Sequence, residues 1–381
     1  MDLQYDEETC AFRDEVRTFL DRNTAAFPTA SYDTADGFAQ HRHWDRVLFD
    51  AGLSVITWPQ KYGGRDATLL QWVVFEEEYF RAGAPGRASA NGTSMLAPTL
   101  FSHGTSEQLD RILPKMATGE EIWAQAWSEP ESGSDLASLR STATRTDGGW
   151  LLNGQKIWSS RAPFGERGFG LFRSDPAAQR HQGLTYLMFD LHTDGVTVRP
   201  IQQLGGETGF GEIFLDDVFV ADTDVIGDVG DGWRAAMSTA SNERGMSLRS
   251  PARFAAPTQR LVEMWKANPD SAFADEVADA WIKAQAYRLH TFGTVTRLAE
   301  GGELGAEASV TKVFWSDLDV AIHQTACDLH GADGELRDSW NDGLLFALGG
   351  PIYAGTNEIQ RNIIAERLLG LPRESSGVKR S

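Results

Sequence analysis

Cysteine is scarce: Cys10 and Cys327 are the only two in 381 residues. Two thiols cannot build the disulfide framework of a secreted scaffold, so a reducing cytoplasm is the expected setting. Basic residues are also short, 35 Lys and Arg against 54 Asp and Glu, for a formal charge of −19. A basic stripe is the electrostatic footprint of nucleic-acid binding, and a nucleic-acid partner is therefore not expected. Apolar runs stay well under the ~18 residues of a membrane helix, which argues against a membrane span. The opening Met1-Asp2-Leu3-Gln4-Tyr5-Asp6-Glu7-Glu8 is acidic and lacks the basic and apolar regions of a signal peptide. A soluble chain is expected.

Several chemical signatures are missing as well. The nearest text to a dinucleotide fingerprint, Gly227-x-x-Gly230-x-Gly232, has the wrong spacing, which excludes a Rossmann nicotinamide site. No P-loop, Gly-x-Ser-x-Gly elbow or His-Glu-x-x-His occurs, so kinase and hydrolase chemistry loses its support. His41 and His43 flank an arginine without a carboxylate cluster and read as surface histidines; no metal is expected.

What is present is an ordinary globular composition, 41% hydrophobic with 38 glycines, in a length that suits two or three domains. Residues 1–119 read as helical. Phe12, Val16, Phe19 and Leu20 form one amphipathic stripe, Trp44, Leu48 and Phe49 begin a second that breaks at Pro59 and Gly63-Gly64, a third helix runs Leu69 to Arg81, and a fourth follows Ser106 as N-cap. Residues 120–231 switch to short alternating runs between turns. Thr142 and Thr144 lead into Asp147-Gly148-Gly149, Asn153-Gly154 is a strong hairpin cue, and Leu184 to Leu191, Val196 to Ile201 and Gly211 to Val220 read as strands. Helices return over 232–381: one opens with Trp233, Ala236, Met237 and Ala240, others span Phe273 to Leu298 and Ser309 to Leu329, and the last starts after Thr356 and stops at Gly370. From Glu374 the chain reads as a disordered tail. The fold class is α+β: an N-terminal helical domain, a central antiparallel β domain and a C-terminal helical bundle.

Trp127-Ser128-Glu129-Pro130-Glu131-Ser132-Gly133-Ser134-Asp135 with Asn153-Gly154-x-Lys156-x-Trp158, Phe214 to Val218 with Gly232-Trp233 and Glu243-Arg244, and Ala354-Gly355-Thr356-Asn357-Glu358-Ile359-Gln360-Arg361 are three stretches that together resemble the acyl-CoA dehydrogenase family. Trp58-Pro59-x-x-Tyr62-Gly63-Gly64 and His103-Gly104-Thr105 extend the match through nearly the whole chain, in order and spacing. The resemblance implies a C-terminal four-helix bundle, FAD as cofactor, an acyl-CoA substrate, an electron-transfer flavoprotein or similar acceptor, and a dimeric or tetrameric assembly.

By motif position, the resemblance implies that Trp127, Ser128, Trp158 and Ser160 line the flavin, and that Gly133 and Ser134 approach cofactor and substrate, where a small pair permits close contact. Without it, the same residues read as a β-turn and core aromatics. Gly331, Gly355, Thr356 and Glu358 fall where the family meets the adenine half or pyrophosphate of a flavin bound mainly by a neighbouring subunit; a simple capped helix is the alternative. Tyr353, Ser134 and Arg244 are the implied substrate contacts.

Desaturation of an acyl thioester needs a carboxylate to take the weakly acidic α-proton and donors for the enolate oxygen. Most of the family places that Glu before Gly-Thr in the third motif, where this chain has Ala354. A minority, of isovaleryl and long-chain type, places it in the Glu-Arg pair, here Glu243-Arg244. Glu243 is therefore the implied base, with Arg244 beside it and the Ala354 N–H as a donor; a structural Glu243–Arg244 ion pair is the alternative. If the helix from Trp233 is unbroken, both charges border its apolar face. The family's Arg-x-x-Phe-Gly is not found, and its Gln-x-x-Gly-Gly becomes Asp328-Leu329-His330-Gly331-Ala332, where an Asp repels pyrophosphate unless turned away or paired. Such departures resemble actinobacterial-type members that form mixed tetramers, so a partner-subunit role and an oxidase are the alternative functions. A small Ala354 would leave room for a branched or bulky acyl group.

Overall fold

The computed structural model describes residues 5–27, 30–31, 33–244, 250–302 and 304–373, with the side chains of residues 242–244 outside that description. The expected tail from Glu374 and the first four residues lie outside the described residues. The chain forms two compact units, Asp2–Glu243 and Arg244–Ser381.

The first unit opens with helices α1 (Glu7–Asn23), α2 (Ala35–Asp50), α3 (Leu69–Arg81), α4 (Ala97–His103) and α5 (Ser106–Ala117). The stripe on α1 buries Phe12, Val16 and Leu20, and the Asp6 carboxylate caps the helix by accepting from the Thr9 N–H. Helix α3 occupies its expected span, opened by a reciprocal Thr68–Gln71 capping box. Two expectations shift. Trp44, Leu48 and Phe49 close α2 instead of beginning a helix, because the chain leaves at Asp50 and turns at Gly52, where φ is 68°. The cap of α5 is Thr105, boxed with Gln108, and Ser106 is its first helical residue. His41 is no surface histidine. It is buried between the carbonyls of Gly86, 2.7 Å away, and Ala30, 2.8 Å away, because α2 turns Phe38, His41, Trp44, Asp45 and Leu48 inward together. Counting only apolar residues hid that face. Asp45 beside it accepts from the Ser89 N–H at 2.8 Å, and burial pushes its carboxyl up to about 6 against that bond.

The sheet contains β1 (Trp123–Ala126), β2 (Thr142–Thr146), β3 (Gly149–Ser160), β4 (Arg167–Arg173), β5 (Leu184–Asp190), β6 (Val196–Ile201), β7 (Phe210–Ala221) and β8 (Val225–Ile226). Their order is β6-β7-β3-β2-β4-β5-β8, with β1 beside β4. Pairing is antiparallel except that β4 runs parallel to β1 and to β2. Strands β1 and β4 carry no alternation because they are buried on both faces, and so they escaped the period-2 reading. Trp150, Leu152, Phe172, Leu187, Phe189 and Ile213 form the apolar core here.

The hairpin turn falls at Asp147-Gly148, between β2 and β3. Asn153-Gly154 is instead a bulge inside the long strand β3, where the register with β7 slips between Leu152 and Gly154. The Asn153 amide exchanges two hydrogen bonds with Asp217, and a Cβ on Gly154, at φ 144°, would overlap Ser141. Gly154→Ala is expected to cost about 2–3 kcal/mol, read as a lower denaturation midpoint at unchanged m-value.

Helix α6 (Gly232–Arg244) runs unbroken, as the helical spacing required. Its buried line is Ala235, Ala236, Thr239 and Ala240, while the expected leaders Trp233 and Met237 are half-buried. Where Glu243 and Arg244 project lies outside the described side chains.

The second unit holds α7 (Ala252–Ala267), α8 (Ala274–Ala299), α9 (Glu307–His330), α10 (Ser339–Ala347) and α11 (Asn357–Ile363), the last continuing as a π-helical turn, Ile364–Leu368. Phe254, Leu261, Tyr287, Trp315, Leu318 and Ile322 fill the centre of α7, α8 and α9. Helices α8 and α9 match their expected spans to within two residues. Helix α7 was not expected, since Pro257 inside it reads as a stop.

Candidate active site

In the first unit the loop after β1 returns on itself at Pro130-Glu131. Glu129 and Ser132 exchange both main-chain hydrogen bonds at 3.0 Å, so this stretch is indeed a tight turn. The aromatics around it are not core residues. Trp158 is 57% exposed, its φ is +59°, and its ring meets Phe210 edge-on at 6.2 Å. The cause is a second bulge in β3: Lys156 pairs with Ile213 and Ser159 with Gly211, so three residues of β3 oppose two steps of β7. Bulges re-aim side chains beside functional sites, and a left-handed tryptophan is strain of about 1–3 kcal/mol held by its surroundings.

The structure brings together the two halves expected to line the flavin. The Ser128 carbonyl accepts from the Ile157 N–H at 2.9 Å, which lays Trp127-Ser128 against the bulged Ile157–Ser160 segment. Ser160 pairs with Phe210 and its carbonyl accepts from the Asn91 amide at 3.2 Å. Gly133 and Ser134 are exposed on the turn, with open space around the Gly133 Cα.

Two features here were not legible as site residues. The first is a buried ion pair: Lys156, fully buried, donates to Glu129 Oε1 at 2.8 Å and to the Leu171 carbonyl at 2.8 Å. Burial pushes the Glu129 carboxyl up, but the Lys156 charge and the N–H donors of Arg140 and Ser141 more than reverse this and hold it below the usual carboxylate range. Burial lowers Lys156 in turn, with Glu129 opposing. The second is a relay. The Trp127 indole donates to the Tyr186 hydroxyl at 3.1 Å, that hydroxyl lies 3.3 Å from Thr239 Oγ1 on α6, and Thr239 lies 2.7 Å from Thr99 Oγ1. Thr239 stands one turn before Glu243, so the backbone carrying Glu243 is tied to the Trp127 loop.

In the second unit, Ala354 and Gly355 are both left-handed, at φ 58° and 80°. Thr356 caps α11 by accepting from the Ile359 N–H, and the Gln360 amide donates to the carbonyls of Ala354 and Gly355 at 3.1 and 3.3 Å. Asn357 anchors the loop to α9: its oxygen accepts from Lys312 and Ser316, and its amide donates to Asp317. The Tyr353 ring stacks on Trp315 at 5.9 Å. Glu358 is exposed, its carboxyl held low first by its own N–H and then by the Thr356 hydroxyl. Gly331 ends α9 at φ 59°, and Asp328 is exposed, its carboxylate accepting from the neutral Gln324 amide, which leaves the charge in place.

An α+β chain with an exposed indole on a strained bulge, hydroxyls beside it and no dinucleotide fingerprint has the makings of a flavin-dependent oxidoreductase. The acyl-CoA dehydrogenase N-terminal domain matches residues 6–120, the middle domain residues 124–218 and the C-terminal domain residues 230–369, so this chain belongs to the acyl-CoA dehydrogenase family. It is 38% identical over 382 residues to acyl-CoA dehydrogenase IpdE1 of Mycobacterium tuberculosis, covering 96% of this chain and 98% of that one. It is similar in fold to the Tcur3481-Tcur3483 steroid ACAD, with TM-score 0.88 and 25% identity over 98% of this chain and all of that one. The ChsE4-ChsE5 complex from Mycobacterium tuberculosis is also similar, with TM-score 0.83 and 25% identity over 98% of this chain and 100% of that one.

The chain is thus an FAD-dependent acyl-CoA dehydrogenase in class. Its own residues fit the cofactor. Trp158 offers an open aromatic face, and Ser159 Oγ is buried without a hydrogen-bond partner among the described residues. Among those residues no helix is long and apolar enough to cross a membrane.

Proposed function

We propose that Glu243 is the base that takes the α-proton of an acyl-CoA whose acyl group is branched or ring-bearing. The observation that carries the assignment of the base is the pair of positions 354 and 243. Position 354, which holds the carboxylate in most of the family, is an alanine on a left-handed turn, and Glu243 lies within the unbroken helix α6. The Thr239–Tyr186–Trp127 relay supports the reading, since it ties that helix to the loop expected to hold the flavin. FAD, when bound, supplies the acceptor for the hydride leaving the β-carbon. Trp127, Ser128, Trp158 and Ser160 would hold and orient it, while Glu243, followed in sequence by Arg244, takes the proton and becomes neutral. Gly133 and Ser134 leave space for the substrate on the open turn.

The bulky acyl group is supported by the small side chain at 354 and by the likeness to a protein described as a steroid ACAD. Initial rates across straight, branched and ring-bearing acyl-CoAs test it: ring-bearing thioesters are expected to give kcat/KM at least about tenfold above straight chains, since each well-filled apolar pocket position discriminates by 1–3 kcal/mol. A clear preference for straight chains would remove it.

A second reading, in which this chain works beside a homologous subunit, is favoured by one observation. Trp281, Ile282 and Leu289 on α8 are 41–58% exposed, and Ile282 and Leu289 are seven residues apart on one helix face. The similar ChsE4-ChsE5 structure is a complex of two proteins. Purified alone, a homomeric enzyme is expected to be yellow with one FAD per chain; a colourless protein that gains flavin only with a partner supports the second reading.

A further inference from the structure

We propose that the buried Lys156–Glu129 pair is a positioning device for the cofactor, locking the Trp127-Ser128 loop to the bulged end of β3 and so setting the surfaces that receive the isoalloxazine ring. The proposal rests on the flavin reading above. Its force comes from where the pair sits. Glu129 follows Trp127 by two residues, and Lys156 precedes Trp158 by two, on the first residue of the bulge. An ammonium has three donors, and this one faces three oxygens: Glu129 Oε1 and Leu171 O at 2.8 Å and Trp127 O at 3.4 Å. The other side of the carboxylate is equally committed, since Glu129 Oε2 accepts from the Arg140 N–H at 2.6 Å and Oε1 from the Ser141 N–H at 2.9 Å. One side chain thereby joins the loop, β3 and β4, and the other joins the loop to the entry of β2.

Stability alone is a poor reason for such a pair. Taking both charges out of water costs as much as their attraction returns, and apolar residues of the same volume often serve a core better. What an ion pair with fixed donors supplies is a unique geometry. Trp158 in its left-handed conformation needs that, because a strained residue persists only where its neighbours determine it.

The test is the double variant Glu129→Gln with Lys156→Met, which removes both charges, keeps an amide oxygen for one of the Arg140 and Ser141 N–H groups, and leaves no unpaired ion. FAD is titrated into apoprotein and followed by quenching of tryptophan fluorescence, and the flavin midpoint potential is measured on the reconstituted protein. The variant is expected to melt close to wild type, to bind FAD about tenfold or more weakly, as lost support behind a ligand site does, and to show a shifted potential. FAD affinity within twofold of wild type together with an unshifted potential would overturn the proposal, whatever the melting temperature does. Should the double variant fail to fold, Glu129→Gln alone carries the same two readouts. Wild-type apoprotein that takes up no FAD either alone or with a partner subunit contradicts the flavin reading itself; wild type and variant that bind it equally contradict only the positioning role.

Discussion

Glu243→Gln is expected to lower kcat by about 10²–10⁴-fold, the range a positioned acid or base contributes, while FAD content and acyl-CoA binding stay near wild type. Glutamine keeps the shape of the side chain but carries no charge and cannot accept the proton. A thioester α-proton needs a carboxylate, Ala354 offers none, and Glu243 stands on a helix that the Thr239–Tyr186–Trp127 contacts tie to the Trp127-Ser128 loop. A base lost from a reaction that depends on it lowers kcat and kcat/KM together, because the interaction is made in the transition state. Stopped-flow bleaching of the flavin under anaerobic conditions reads this directly. Bleaching within a few-fold of wild type would leave Glu243–Arg244 as a structural pair.

Lys156→Met alone is expected to destabilise the protein by about 3–5 kcal/mol, the usual cost of stranding one partner of a buried pair. The sign of its pH dependence follows. In wild type the Glu129 carboxyl is held below its ordinary value, so its contribution is present at neutral pH and lost as pH falls through the folded value. In the variant, burial acts without the ammonium and the folded value rises above the unfolded one. The deficit should then grow as pH rises from about 5 to about 8, since the buried group resists ionisation. Urea midpoints across that range measure it. A deficit that shrinks with rising pH would mean that Glu129 escapes to solvent when Lys156 is removed.

The helices were the most legible part of the chain, because their signal is local. Apolar spacing gave α3, α8 and α9 to within two residues and the inward stripe of α1, and Thr356 marked its own helix start. Strands β1 and β4 were not legible, since burial on both faces erases alternation. Asn153-Gly154 looked like a turn for a sound reason: asparagine and glycine favour left-handed backbone, and a bulge needs that as much as a hairpin does. Only the pairing with β7 distinguishes the two. Among candidate site residues, the tryptophans and serines were proposed through the resemblance, whereas the contacts of Lys156, Tyr186 and Thr239 were not foreseen, because a lone lysine or threonine in a strand or helix carries no sign of what it will face. His41 shows the same limit, a polar residue on an inward helix face.

The most direct measurement is exchange of the substrate's α-protons with deuterated solvent, followed by mass spectrometry on wild type and Glu243→Gln holding equal FAD. Exchange reports proton removal without requiring the hydride step. The account predicts ready exchange in wild type and a loss of at least about 100-fold in the variant. Equal exchange in both would contradict it, whatever the turnover numbers show.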